Sequence, residues 1–78
     1  MLRIVAEKIE EHLQKHCNES WHTKVKGYTI LVYFATELRF KVTYNINYED
    51  WYISGKDINI TILQEVSTVI QRYMERGI

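Results

Sequence analysis

The sequence predicts an α+β fold: a two-layer sandwich in the order α-β-β-β-α, a three-stranded antiparallel sheet with both helices on one face. Three observations carry that prediction. Apolar residues recur at helical spacing at both ends of the chain, they alternate at every second position through its middle, and one parity links the alternating runs.

Near the N-terminus, Leu2, Val5, Ala6, Ile9, Leu13, His16 and Cys17 fall on one stripe, with Glu7, Glu11, Gln14 and Lys15 opposite. The spacing predicts a helix over residues 2–17 with one buried face, stopped at Asn18. His12 and His16 lie in its last turns, where a protonated imidazole suits the negative end of the helix dipole. Residues 20–26 read either as a loop or as an early extension of the first strand, with Gly27 a bend or bulge.

From Tyr28 the period changes to two. Tyr28, Ile30, Val32 and Phe34 take one side of a first strand, and Thr29, Leu31 and Tyr33 the other. Leu38, Phe40, Val42, Tyr44, Ile46 and Tyr48 then alternate with Arg39, Lys41, Thr43, Asn45 and Asn47. A turn at Ala35-Thr36-Glu37 pairs Phe34 with Leu38, Val32 with Phe40, Ile30 with Val42 and Tyr28 with Tyr44, which keeps the apolar set on one face. A turn at Glu49-Asp50 brings Tyr48 to Trp51 and Ile46 to Ile53, so a third strand ends at Ser54-Gly55. Phe40, Tyr44, Tyr48 and Trp51 are thereby assigned to the core. In the last segment Ile62, Leu63, Val66, Val69, Ile70, Tyr73 and Met74 share a helical face. Asp57, Asn59 or Thr61 is its cap, Thr61 and Gln64 have capping-box spacing, and Gly77 is placed to end it.

With 78 residues the chain reads as a single domain over 1–78, a size that buries about 60–65% of the surface its unfolded chain exposes. Ten basic and ten acidic side chains cancel, which argues against nucleic-acid or membrane binding through a general field. The single cysteine, Cys17, excludes an internal disulfide and suits a reducing, cytoplasmic setting. The opening MLRIVAEKIEEH is amphipathic and charged, unlike a secretion signal, and no membrane span is expected.

No chemistry is expected either. His12, His16, Cys17 and His22 lack the spacing of a recognised metal site, so they read as structural, and Cys17 as a packing thiol, buried or half-buried. With no Gly-rich phosphate loop and no Gly-x-Ser-x-Gly elbow, the expectation is a non-enzyme without metal or cofactor.

In the stretch SGKDINITILQEV that enters the last helix, Lys56 stands alone beside Asp57. In length and element order the chain resembles the double-stranded RNA-binding domain across most of residues 2–76. That resemblance implies a lysine-rich, alanine-rich entry to the second helix, which this stretch lacks. It also implies a first helix that reads the minor groove, where this chain exposes Glu7, Glu10 and Glu11.

The sheet face turned away from the helices is the expected contact surface. Tyr33 is placed opposite Arg39, Leu31 opposite Lys41, Thr29 opposite Thr43, and Asn47 opposite Tyr52. Leu31, Tyr33, Arg39, Lys41 and Tyr52 are the candidate binding residues of a small module, adaptor or inhibitor in kind, acting on a larger protein. The bias toward Ile, Lys, Asn and Tyr leans toward a bacterial or phage accessory protein. The alternatives are a nucleic-acid binder using Lys24, Lys26, Arg39 and Lys41 with Tyr33 as a stacking platform, and a homodimer through the short third strand.

Overall fold

A computed structural model describes residues 2–76, with side chains through residue 73. The fold is α+β, with α1 (Leu2–His16), β1 (Trp21–Lys26), β2 (Thr29–Phe34), β3 (Glu37–Asn45), β4 (Asp50–Ser54) and α2 (Ile60–Arg76). All strands join one antiparallel sheet in the order β1-β2-β3-β4. The sheet thus has four strands where three are expected, and the α-β-β-β-α order that supports the likeness to the RNA-binding domain gains a strand.

The additional strand is β1. Trp21, Thr23 and Val25 alternate with His22, Lys24 and Lys26, and Lys26 pairs with Thr29 across the turn residues Gly27 and Tyr28. Gly27 has φ 61, a glycine-first hairpin turn of the kind whose twist matches its flanking strands. Tyr28 therefore sits in the turn, 58% exposed, instead of in the core. Its carbonyl still accepts the Tyr44 amide at 2.9 Å.

As an edge strand β1 would expose unpaired backbone groups, and α1 satisfies two of them, on Trp21 and Thr23. Gln14 Nε2 donates to the Trp21 carbonyl at 2.8 Å, the Thr23 amide donates to Glu10 Oε1 at 2.8 Å, and Thr23 Oγ1 donates to the Ala6 carbonyl at 3.1 Å. Glu10 and Gln14 thus face the sheet edge, half-buried, where the sequence places them in solvent.

Two register expectations change. Val32 pairs with Phe40 and Ile30 with Val42, but Tyr33 then pairs with Leu38 and Phe34 with Glu37. The step between Val32 and Tyr33 leaves Arg39 as the extra residue of a β-bulge, which turns Leu38 out of the core to 41% exposure and removes Arg39 from its place opposite Tyr33. At the next hairpin Asn45 Oδ1 accepts the Asn47 amide at 3.1 Å and so starts the turn early. Asn45 pairs with Asp50, Tyr44 with Trp51, Thr43 with Tyr52 and Val42 with Ile53. Ile46 and Tyr48 consequently lie in the loop, 56% and 80% exposed, and Tyr48 is not a core residue.

The core is a single cluster. Val5, Ala6, Ile9 and Leu13 of α1 and Val66, Val69 and Ile70 of α2 close over Trp21, Ile30, Val32, Phe40 and Val42 of the sheet. The cap of α2 is Asn59, whose Oδ1 accepts the Thr61 amide at 2.8 Å, so the Thr61–Gln64 capping box does not form. The Met74 side chain and Gly77 lie outside the described residues. No helix among the described residues is long and apolar enough to cross a membrane.

Candidate functional site: the outer sheet face

Parity and register fix what the sheet turns away from the helices. One row across the strands reads Lys24, Leu31, Lys41 and Ser54; the next reads Lys26, Thr29, Thr43 and Tyr52. Beyond the bulge, His22, Tyr33 and Leu38 form a third row. Asn45 and Asp50 close the face at one end.

Of the expected binding residues, Leu31, Tyr33, Lys41 and Tyr52 stand on this face together. Arg39 does not take its expected place in the pattern, because it is the bulge residue. Its Nη1 lies 3.5 Å from Glu37 Oε2 in a pair exposed enough to contribute little. The Asn47–Tyr52 pairing is replaced by Thr43–Tyr52.

What the expected set lacked is the contribution of β1 and of the bulge. His22, Lys24 and Lys26 extend the surface, and Leu38 joins Tyr33. Lys24 Nζ sits 5.5 Å from the centroid of the Tyr33 ring, a cation–π contact that fixes the lysine stem over the ring. Leu31 and Tyr33 are half-buried by these neighbours, while Tyr52 remains 54% exposed. Thr29 and Thr43 join their hydroxyls at 3.3 Å in the centre.

The result is an amphipathic surface with Lys24, Lys26 and Lys41 in two adjacent rows and no carboxylate within those rows. Glu7 and Glu11 are exposed on α1, in the other layer. Arg3 and Lys15 are exposed on α1 as well, so the helix is balanced in charge and the positive patch is local to these two rows.

Elsewhere the chemistry is sparse. Cys17 is exposed, not packed in the core as the sequence suggests. Even so, the desolvation its thiol retains, with the Glu65 carboxylate adding to it, raises its pKa, which disfavours the reactive thiolate. The His12 imidazole contacts the Glu65 carboxylate and ties α1 to α2, while the His16 ring lies 4.4 Å from that of His12. Among the described residues no three His, Cys, Asp or Glu side chains are arranged to hold a metal.

The chain matches no known family model, no curated protein and no solved structure. The functional reading therefore rests on the geometry of these surfaces.

Proposed function

We propose that the protein is a non-catalytic binding module whose outer sheet face docks on an acidic protein surface inside the cell, as an adaptor or inhibitor of a larger partner. The observation that carries this reading is the register of β1 on β2, which sets Lys24 and Lys26 beside Leu31, Lys41 and Tyr52. Lysines around a leucine and two tyrosines offer a partner charge complementarity at the rim and apolar and aromatic anchors within it.

The same lysines and the exposed Tyr52 ring favour a second reading, single-stranded nucleic acid tracking the basic rows and stacking on tyrosine. Affinity capture from source cells with the wild-type chain and with a Lys24→Glu/Lys41→Glu variant, each with and without nuclease, separates them. Docking on a protein predicts a partner retained after nuclease and lost with the variant. A partner lost on nuclease treatment selects nucleic acid, and capture equal for both chains rejects the face.

A further inference from the structure

At the end of the sheet where the bulge lies, a cavity of about 310 Å³ opens between the strands and the start of α2. Its apolar lining comes from Trp21, Phe34 and Phe40, with Ile58 and Ile62 on the helix side. Trp21 sets its ring edge-on to Phe34 at 5.1 Å and tilted to Phe40 at 6.2 Å, so the rings brace one another. Arg39 and Lys56 line the same cavity, and Asp57 stands beside them.

Three backbone features assemble this arrangement. The bulge re-aims Arg39, as bulges beside ligand sites characteristically do. Gly55 lets β4 leave the sheet tight against it: a Cβ there would meet Phe40 Cβ at 2.9 Å and the Arg39 carbonyl oxygen at 3.0 Å. Asp57 then turns the chain toward α2 through φ 51, a left-handed conformation that costs a non-glycine residue strain. Bulge, glycine and strained turn all converge on the rim where the two cations sit.

We propose that this cavity is a binding site for a small monoanionic ligand with a flat apolar body, an aromatic carboxylate in chemical class. The rings receive the planar body, Arg39 offers its guanidinium fork to the carboxylate, and Lys56 adds a second cation. Lys56 makes no ion pair among the described residues, and Arg39 makes only the exposed pair with Glu37. With Asp57 counted, the groups lining the cavity carry one net positive charge, and Glu37, outside the lining, stands 3.5 Å from Arg39, so the site suits at most one carboxylate and not a phosphate dianion. The volume lies at the small end of ligand pockets and fits a one- or two-ring molecule. The site stands apart from the proposed docking on the outer face, and either can fail without the other.

The test is a ¹H–¹⁵N titration of the full chain with indole-3-acetate, its neutral amide and tryptamine, read at the indole N–H resonances. Trp21 lines the cavity and Trp51 does not, so Trp51 is the internal control. The expected result is a saturable Trp21 shift with the acid, at a Kd on the order of 1 mM as ligand efficiency sets for this size. The amide is at least about tenfold weaker and tryptamine gives no shift, a difference of one charge-assisted contact. Lys56→Ala and Arg39→Ala, both at exposed positions, each weaken the acid by about fivefold or more while the remaining spectrum is unchanged. No saturable Trp21 shift at about ten times that concentration, equal binding of acid and amide, or equal shifts at Trp51 would overturn the proposal.

Discussion

Replacing Gly55 with alanine tests the packing of β4 against the bulge. The position has no positive φ, so alanine is not strained in its own backbone there, and the loss of unfolded-state freedom alone would stabilise the protein by about 0.4–1 kcal/mol. Against that, the new methyl group stands 2.9 Å from Phe40 Cβ, 3.0 Å from the Arg39 oxygen and 3.2 Å from Phe40 Cα. These are backbone and Cβ atoms of the neighbouring strand, two of them on the buried Phe40, and cannot swing aside as the end of a long side chain would. Overpacking of this kind costs about 1–3 kcal/mol, so the clash exceeds the entropic gain. The net expectation is about 1–2 kcal/mol of destabilisation, read by urea denaturation, with a Tm lower by about 4–8 °C per kcal/mol for a domain of this size. A Gly55→Ala protein as stable as the parent, or more so, would refute the close approach and with it the geometry of the cavity rim.

Other expectations follow from single contacts. Glu10→Ala removes the acceptor of the half-buried Thr23 amide and should cost about 1–2 kcal/mol by chemical denaturation, whereas Glu10→Gln, which keeps an oxygen in reach, should cost less. Ala35 has φ 55 at the β2–β3 turn, so Ala35→Gly should raise stability by about 0.5–1 kcal/mol, measured as the shift in urea midpoint at constant slope. Cys17, its thiol raised by desolvation and by Glu65, should alkylate with iodoacetamide at pH 7.5 more slowly than an unhindered cysteine peptide, and Glu65→Gln should speed the reaction.

Both helices, the core parity and the central pairs Val32–Phe40 and Ile30–Val42 were legible in the sequence because burial on one face imposes a period, and a period survives without knowledge of partners. The N-terminal strand was obscured for a physical reason. Its inward residues are Trp21, Thr23 and Val25 and its outward ones His22, Lys24 and Lys26, an edge-strand composition that reads as loop unless the alternation is weighed against the polarity. Gly27 marks the break in the sequence as a bend or bulge, and the structure makes it the first residue of a hairpin turn.

The bulge at Arg39 and the early turn at Asn45 were hidden differently. Strict alternation from Leu38 to Tyr48 suggested one unbroken strand, but an alternating pattern does not record where pairing stops, and a local side-chain hydrogen bond ended it. These two irregularities move Leu38, Arg39, Ile46 and Tyr48 from their expected places, so Leu31, Tyr33, Lys41 and Tyr52 stand on the outer face as the alternation places them and Arg39 does not. Lys56, on the cavity rim, carried no sequence pattern at all, because its position depends on the bulge and on the turn at Asp57.

The measurement that bears most directly on the proposed function is the affinity of the purified captured partner for the wild-type chain and for the Lys24→Glu/Lys41→Glu variant, at low and at physiological salt. Docking through the outer face predicts wild-type affinity that falls as salt rises and at least about a tenfold loss in the variant, equivalent to roughly 1.4 kcal/mol, with both chains equally stable. Equal affinities of the two chains at both salt concentrations would contradict it.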